Sequence, residues 1–453
     1  MERFDACVIG MGPGGEVAAG RLIDAGMRVV VCERDLIGGE CGYWACIPSK
    51  TLLRVVEARA AAARVAGLDR PALDLGDAFS YRDWMIRGLD DSAQVAHYRE
   101  RGAEVIKGEA SLTGPGRVRA GDRELACRYV VVATGSDPVL PPIAGIRDVG
   151  AWTNKEATTT SELPDSLIVL GGGPVGVELA QLFARLEVEV TIVHSGEWLV
   201  SREDRAAGEL VEHALADDGV RIVKRGRARS VRKTADGRIA LRLADDRELR
   251  ARQLLVATGR APRVRGVGLE RVGALGDQGA VSLDAHCRAA EDVWAVGDVT
   301  GVALFTHVAK YQARVAVADI LGHGFQADYR AVPRVVFCDP ELAAVGVSER
   351  VAAERGIDVV SATVELPTAI ARPYTFERQP RGAMRLLADR ASGELVGAWA
   401  LAPLAGEWIH LAALAIGARL PVPRLLAALL PQFPTYVEAY VPALEELAAA
   451  IAR

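Results

Sequence analysis

The sequence is sparing in cysteine and aromatic residues and carries no excess of positive charge. Its 453 residues include 7 cysteines, and aromatic residues make up 5% of the chain. Lysine and arginine together number 54 against 59 aspartates and glutamates, which gives a net charge of −5. This balance offers no bulk attraction for nucleic acid or for an anionic membrane. We therefore expect neither as a partner.

Long hydrophobic runs are also missing. No stretch of about 18 uncharged apolar residues occurs, so the sequence predicts no membrane-spanning helix. The chain enters an apolar strand directly after its first five residues, without the basic region and cleavage site of a secretory signal. Most of its cysteines are scattered singly, a usage typical of a reducing compartment. We expect a cytoplasmic protein.

Two segments of the chain repeat one design of strand, glycine-rich turn, helix and strand. Each is a βαβ unit of a doubly wound sheet, in which glycines let the backbone approach a pyrophosphate at a helix N-terminus. The first unit has Gly10, Gly12 and Gly15, and the second has Gly171, Gly173 and Gly176. Two such turns in the right context predict two bound dinucleotides, or one that is bound twice.

The residue that ends the second strand of each unit bears on nucleotide choice. Glu33 stands 23 residues after Gly10, where a carboxylate typically accepts hydrogen bonds from an adenosine ribose. The same offset from Gly171 leads to His194, and the next arginine is Arg202. The third glycine of the second unit favours NADH, whereas the missing carboxylate favours NADPH. The choice between NAD(H) and NADP(H) stays open.

Cys41 and Cys46 form a close pair, followed by Ile-Pro-Ser-Lys50. A helix is predicted from Thr51 to about Val65, so Cys46 lies near a helix N-terminus, whose partial positive charge stabilises a thiolate. Four intervening residues make a readily reduced disulfide feasible. A structural zinc site is less favoured, because no second Cys/His pair stands at ligand spacing. The position after a dinucleotide unit favours a redox pair over two unpaired buried thiols, and we expect no metal site.

The sequence resembles the flavin-linked pyridine nucleotide–disulfide oxidoreductases, which include dihydrolipoamide dehydrogenase and mercuric reductase. The resemblance covers essentially the whole chain and rests on specific landmarks. These are the two glycine turns, the run from Cys41 to Lys50, Ala133-Thr-Gly-Ser136, Ala257-Thr-Gly-Arg260, Val296-Gly-Asp298 and Val335-Val-Phe-Cys-Asp-Pro-Glu341.

The resemblance implies the fold class: α/β, with two doubly wound (Rossmann-like) dinucleotide-binding domains and an α+β dimerisation domain. The implied division is an FAD domain in two parts (1–150 and 266–328), an NAD(P) domain (151–265) and a C-terminal interface domain (329–453). A homodimer is expected.

The resemblance also implies roles for individual residues. Cys46 faces the flavin, Cys41 exchanges with substrate, and Lys50 pairs with Glu178 beside the flavin, where a buried ammonium needs a carboxylate partner. Glu33 holds the adenosine ribose, Asp298 the ribityl or pyrophosphate region, and Ala110 the adenine. The further residues expected at the cofactors are Gly10, Gly12, Gly15, Gly39, Thr134, Gly135, Gly171, Gly173, Gly176, His194, Gly259 and His307.

One departure from the family pattern concerns the acid–base that serves the exchanging cysteine. A His-Pro-x-x-x-Glu segment becomes Phe433-Pro-Thr-Tyr-Val-Glu438 here. Phenylalanine cannot exchange a proton, and losing a positioned acid–base typically costs ~10²–10⁴-fold in rate. Glu438 is kept as a catalytic candidate, and Tyr436 or His410 is a possible substitute donor for which packing is the simpler role. Mercuric reductase also lacks this histidine, but its C-terminal cysteine pair has no counterpart here.

Three functions follow as hypotheses. The first is an FAD-dependent NAD(P)H oxidoreductase that passes electrons through Cys41 and Cys46 to a small disulfide or dithiol. The second, prompted by Phe433, is a reductase of quinones, dyes or metal ions such as mercuric ion. The third is a non-catalytic flavin-binding redox sensor. The first two use a small-molecule electron acceptor that the sequence does not identify.

Overall fold

The computed structural model describes residues 1–324 and 326–452. The strands are β1 (Glu2–Ile9), β2 (Val29–Glu33), β3 (Glu104–Lys107), β4 (Ala110–Gly114), β5 (Arg117–Ala120), β6 (Arg123–Val132), β7 (Ser136–Pro138), β8 (Ser166–Leu170), β9 (Glu189–Val193), β10 (Arg221–Val223), β11 (Ala228–Lys233), β12 (Ile239–Leu243), β13 (Glu248–Ala251), β14 (Gln253–Val256), β15 (Arg260–Pro262), β16 (Arg288–Ala290), β17 (Val293–Ala295), β18 (Pro333–Val336), β19 (Glu341–Gly346), β20 (Val359–Glu365), β21 (Ala383–Asp389) and β22 (Leu395–Ala402).

The helices are α1 (Pro13–Asp24), α2 (Gly39–Tyr43), α3 (Cys46–Arg64), α4 (Leu75–Met85), α5 (Ser92–Glu100), α6 (Asn154–Thr159), α7 (Pro174–Arg185), α8 (Arg205–Asp217), α9 (Thr306–Ile320), α10 (Glu349–Glu354), α11 (Leu366–Ala369), α12 (Ala405–Trp408), α13 (His410–Gly417), α14 (Val422–Ala428) and α15 (Tyr440–Ile451). None of the helices within 1–324 and 326–452 is long and apolar enough to cross a membrane.

The chain folds into two compact units. The first comprises Met1–Ser49, Phe79–Val139 and Gly259–Asp328, and the second comprises Lys50–Ala78, Leu140–Thr258 and Tyr329–Arg453. Helix α3 therefore begins in the first unit and continues from Lys50 in the second. It starts five residues before the predicted Thr51, because the turn that carries Pro48 is already helical and proline is tolerated there.

The first unit is built on a sheet with the strand order β16-β17-β6-β1-β2-β3, from which β5 and β4 extend beside β6. The strands β6, β1, β2 and β3 run parallel. Alternate residues of β1 enter two separate cores: Ala6 and Val8 pack with α1 and α9, whereas Cys7 and Ile9 pack on the other face. Burial of both faces is typical of a parallel sheet.

In the second unit, the nucleotide-type sheet has the order β10-β9-β8-β14, with every pair parallel. An antiparallel sheet, β11-β12-β13, accompanies it. Helix α7 follows the glycine turn directly, and Pro174 occupies its first position, where the missing N–H costs nothing.

The C-terminal part of the second unit is an antiparallel sheet, β18-β19-β22-β21-β20. Helices α13, α14 and α15 cover it and bury a shared apolar core that includes Leu444 and Leu447. Two large apolar side chains in the segment after α14 are exposed, with Leu430 at 94% and Phe433 at 67% of their full accessible surface.

Candidate functional site

The two glycine turns have the same geometry. Gly10 and Gly171 have φ of +94° and +120°, and a Cβ on either would lie within 2.4 Å of a backbone oxygen. A Cβ on Gly15 or Gly176 would lie 1.9 or 2.0 Å from the carbonyl oxygen of the first glycine of its turn. Packing thus requires the first and third glycines of both turns.

The middle glycine of each turn faces open space instead. A Cβ on Gly173 would meet no atom within 4 Å, and one on Gly12 would meet only the Cα of Gly39, at 3.9 Å. Both positions lie at the N-terminus of a helix, α1 or α7. The turns therefore leave room for a ligand beside unpaired helix N–H groups, which fits the pyrophosphate of FAD or of a nicotinamide nucleotide.

The carboxylate at the end of β2 is held over the first turn. Glu33 is 8% exposed, and its two oxygens accept hydrogen bonds from the N–H of Met11 (2.6 Å) and of Asp35 (2.7 Å). The equivalent residue of the second βαβ unit is His194. Its ring packs against Gly172 and Gly196. The predicted ribose-binding residues therefore differ in charge and in packing.

Around the first turn, α2 comes close to the glycines. Gly39 has φ +62°, and a Cβ there would lie 2.6 Å from the Cα of Gly12. Thr134 Oγ1 donates to the carbonyl oxygen of Arg263 at 2.8 Å, and Gly135, with φ +76°, accepts a bond from the N–H of Arg263. Gly39 therefore packs against the backbone of Gly12, and Thr134 and Gly135 are both hydrogen-bonded to the backbone of Arg263.

Asp298 is tied into a polar network in the 3-10 helix Gly297–Thr300. Its Oδ2 accepts a hydrogen bond from Ser136 Oγ at 2.6 Å. Arg260 donates from Nε to the same Ser136 hydroxyl at 2.7 Å and from Nη2 to Glu40 at 2.5 Å. This network joins the predicted cofactor residue Asp298 to α2, which carries Cys41.

The two sulfurs of the predicted redox pair lie together in the first unit. The two cysteines are not joined in a disulfide, and Thr306 Oγ1 lies 3.1 Å from Cys41 Sγ and 3.5 Å from Cys46 Sγ. The hydrogen bond to Cys46 and burial raise the pKa of the Cys41 thiol well above its usual range, against the opposing effect of Thr306. Cys46 is the first residue of α3.

The Lys50–Glu178 pair lies in the second unit. Lys50 Nζ is 2.6 Å from Glu178 Oε2, and Glu178 Oε1 accepts a hydrogen bond from the N–H of Phe337 at 2.9 Å. The Phe337 ring lies under the ammonium, 4.8 Å from ring centroid to Nζ, a favourable cation–π distance. A cavity of about 300 Å³ adjoins Lys50 and Phe337 and is also lined by Cys338 and Glu341.

The remaining predicted residues occupy less specific surroundings. Ala110 begins β4, Gly259 has φ +123° with open space around it, and the exposed His307 stacks on Phe305. Glu438 accepts a hydrogen bond from the N–H of Thr435 at 2.9 Å, in a capping box. In the structure Glu438 therefore caps a 3-10 helix.

The two candidate substitutes for the missing histidine differ in their surroundings. Tyr436 is 5% exposed and stacks on Trp408, and burial raises the pKa of its hydroxyl. His410 is the exposed first residue of α13. Packing therefore accounts for Tyr436.

Sequence reasoning missed Thr306 and the contact of Phe337 with Lys50. Thr306 is adjacent to His307, which was singled out, but its partner Cys41 is 265 positions away. Phe337 lies within the landmark Val335-Val-Phe-Cys-Asp-Pro-Glu341, and its place in that landmark was the available signal. Neither contact has a local pattern.

Comparison with known proteins decides the family. Residues 4–313 match the family model described as pyridine nucleotide-disulphide oxidoreductase, and residues 332–444 match its dimerisation domain. The chain belongs to the pyridine nucleotide–disulphide oxidoreductases. The resemblance and the α/β fold class predicted from the sequence are confirmed.

Individual relatives agree with this membership. Mercuric reductase of Streptomyces lividans is 35% identical over 440 residues, which cover 93% of this chain and 92% of the relative. Dihydrolipoyl dehydrogenase of Geobacillus stearothermophilus is 29% identical over 427 residues, covering 91% and 90%. The flavoprotein disulfide reductase RclA of Escherichia coli, in its Cu(II) complex, superposes with a TM-score of 0.86 at 28% identity, covering 98% and 100%.

Members of this family use FAD and NAD(P)H, and the chain is an FAD-dependent NAD(P)H oxidoreductase of the disulfide-reductase type. The glycine turns fit both cofactors, because the space beside Gly12 and Gly173 is open while the flanking glycines are packed. When bound, FAD supplies the transfer of reducing equivalents from the nicotinamide to sulfur.

Proposed function

We propose that the protein reduces a small disulfide with NAD(P)H through Cys41 and Cys46. The observation that carries the proposal is that both sulfurs lie within 3.5 Å of one hydroxyl, that of Thr306. In the net reaction NAD(P)H, one proton and the substrate disulfide give NAD(P)⁺ and two substrate thiols. The resemblance to dihydrolipoamide dehydrogenase makes a small dithiol couple the favoured substrate class.

Thiol–disulfide exchange divides the work between the cysteines. The Cys41 thiolate attacks a substrate sulfur and releases the first substrate thiol, and the Cys46 thiolate then displaces the second and leaves the Cys41–Cys46 disulfide. The contact with Cys46 and burial oppose ionisation of Cys41 by raising its pKa, whereas Thr306 donates to its sulfur and lowers that pKa. Thr306 thus promotes formation of the Cys41 thiolate, which is the form that attacks the substrate.

The other assignments belong to the same proposal. FAD is held by the first glycine turn with Glu33, Asp298 and their neighbours, and the nucleotide by the second turn with His194. We assign FAD to residues 1–150 and 266–328, the nucleotide to 151–265 and self-association to 329–453. The match to a dimerisation domain and the exposed Leu430 and Phe433 support a homodimer. The singly scattered cysteines of the sequence support a reducing compartment such as the cytoplasm.

The test is disulfide reduction by single-cysteine variants of the FAD-loaded enzyme. Cys41→Ser and Cys46→Ser should each abolish NAD(P)H-dependent reduction of lipoamide and of glutathione disulfide. Cys127→Ala, which removes a thiol buried in the sheet core, is the matched control and should keep the activity. Full activity in Cys41→Ser would contradict the proposed route.

A second candidate is reduction of a metal ion or quinone, and Phe433 is the observation that favours it. The side chain is 67% exposed at the position of the family's acid–base histidine. Phe433→His should raise disulfide turnover by about tenfold or more if proton transfer limits that reaction, while Phe433→Leu should not. If both variants and the parent reduce mercuric ion or a quinone much faster than any disulfide, the second candidate is correct.

A further inference from the structure

The cavity beside Lys50 is lined entirely by residues of the second unit and has no part in the proposed exchange of sulfur. Its volume of about 300 Å³ falls at the lower end of the range for small-molecule pockets, ~300–1,000 Å³. Leu53, Val56, Phe337 and Leu404 form its apolar walls. Phe337 and Leu404 are 39% and 47% exposed, so two of these walls offer apolar surface that a ligand can cover.

The cationic side chains at the cavity are paired with carboxylates. Arg54 lies 3.2 Å from Glu57 and Arg185 lies 2.8 Å from Asp339, and Lys50 is also held in an ion pair. An anionic ligand would have to displace a carboxylate from one of these cations. The charges at the cavity therefore favour an uncharged ligand.

Glu341 gives the cavity a hydrogen-bond donor. Its Oε2 accepts the N–H of Gly406 at 2.8 Å. Burial raises the pKa of the Glu341 carboxyl to about 7, with the negative charges of Glu57, Glu407 and Asp339 adding to the rise and the Gly406 bond opposing it. At pH 6 the carboxyl is therefore mostly protonated, and its O–H can donate to a carbonyl oxygen.

The backbone of Leu404 supplies a second, independent observation. This residue precedes α12 with φ +58° and ψ +23°, in the left-handed region, which is unfavourable for a bulky side chain. Residues held in such conformations cluster at active sites and ligand sites. The fold thus holds an exposed leucine at the cavity wall in spite of backbone strain.

We propose that this cavity binds a small, uncharged aromatic carbonyl compound, with its ring against Phe337 and its carbonyl oxygen at Glu341. An aromatic ring packs well on the Phe337 ring, and the apolar walls cover the rest of it. Quinones are the members of this class that accept electrons. Reduction of a bound quinone would consume NAD(P)H and one proton and give the quinol and NAD(P)⁺. That use of the site rests on the second candidate function, whereas binding itself does not.

The experiment is equilibrium dialysis of 2,3-dimethyl-1,4-naphthoquinone with the oxidised, FAD-loaded enzyme in the absence of nucleotide. Both ring positions at which a thiol adds are methylated in this probe, so its binding is reversible. At pH 6, Glu341→Ala should weaken binding about three- to tenfold, whereas Glu341→Gln keeps a donor and should bind like the parent. At pH 8 the ionised parent carboxyl no longer donates, so the parent should lose affinity by a similar factor and Glu341→Gln should not.

A second pair of variants tests the apolar wall. Leu404→Gly relieves the left-handed strain and removes the side chain, so it should weaken binding about threefold or more and leave the melting temperature within a few degrees. Leu414→Ala is the matched control, because Leu414 is a 69% exposed leucine on α13 that does not line the cavity. It should leave the affinity unchanged.

Three results would overturn the inference: no saturable binding to the parent, unchanged affinity in Glu341→Ala, and unchanged affinity in Leu404→Gly. A loss in Glu341→Gln equal to that in Glu341→Ala would also contradict it, because the amide keeps the donor. The assay contains no reductant, so none of these results depends on whether Cys41 and Cys46 reduce a disulfide.

Discussion

Lys50 Nζ and Glu178 Oε2 lie 2.6 Å apart, but the two side chains are unequally buried. The lysine side chain is 35% exposed and the glutamate side chain 7%. A charge left alone after its partner is removed is costly in proportion to its burial. The carboxylate therefore depends on the ammonium more than the ammonium depends on the carboxylate.

This asymmetry predicts different costs for the two substitutions. Lys50→Met, which strands a buried carboxylate, should lower the free energy of unfolding by about 2–4 kcal/mol, and Glu178→Gln by about 1–2 kcal/mol. Urea unfolding of the FAD-loaded protein at pH 7 measures both. Equal losses of unfolding free energy in the two variants would mean that burial does not determine the cost of breaking the pair.

Thr306 is predicted to control the ionisation of Cys41. Its hydroxyl donates to Cys41 Sγ at 3.1 Å and lowers the pKa of that thiol. Thr306→Val should therefore raise the pKa further and slow alkylation of Cys41 by iodoacetamide about two- to tenfold at pH 8. Peptide mass spectrometry of the dithiothreitol-reduced protein gives the rate. Thr306→Ser, which keeps the hydroxyl, is the control, and an unchanged rate in the valine variant would exclude this role.

Features that depend on local backbone geometry were predictable from the sequence. Both turns require glycine, because Gly10 and Gly171 have positive φ and Gly15 and Gly176 approach backbone oxygens closely. The same glycine positions recur at the same spacing in both turns, so the sequence pattern reveals them. The start of α3 at Cys46 was only approximately predictable, because the apolar periodicity begins later than the helix. A proline near a helix N-terminus leaves several registers open.

Contacts between distant segments were predictable only through the family resemblance, or not at all. The Lys50–Glu178 pair spans 128 residues, and spacing alone gives no reason to join them. The Thr306 contact with both sulfurs and the packing of His194 against Gly196 arise from tertiary placement. They depend on side-chain directions that no periodic pattern encodes.

The glycines of the second turn should separate folding from nucleotide binding. A Cβ at Gly173 meets nothing within 4 Å, whereas one at Gly176 would lie 2.0 Å from the Gly171 carbonyl oxygen. Gly173→Ala should therefore keep the melting temperature and weaken binding of ADP-ribose by about tenfold or more, because the methyl occupies ligand space. Gly176→Ala should lower the melting temperature by several degrees. Undiminished binding in Gly173→Ala would place the ligand elsewhere.

Glu341 should make stability depend on pH between its unfolded and folded pKa values. Its carboxylate accepts the N–H of Gly406 at 2.8 Å, but burial raises its pKa to about 7 from a reference value of 4.5. An acid with a raised pKa contributes stability that is fully present below pH 4.5 and is lost as the pH rises through about 7. Ionisation of Glu341 at pH 8 therefore opposes folding.

Glu341→Gln should consequently increase the free energy of unfolding by about 1–3 kcal/mol at pH 8, because the amide keeps an acceptor for Gly406 and carries no charge. The gain should shrink as the pH falls and disappear near pH 4.5, where the native carboxyl is protonated. Urea unfolding across pH 4.5–8 measures the difference, and the exposed Glu446→Gln serves as the charge-matched control. A gain that does not vary with pH would assign the effect to packing and not to the buried charge.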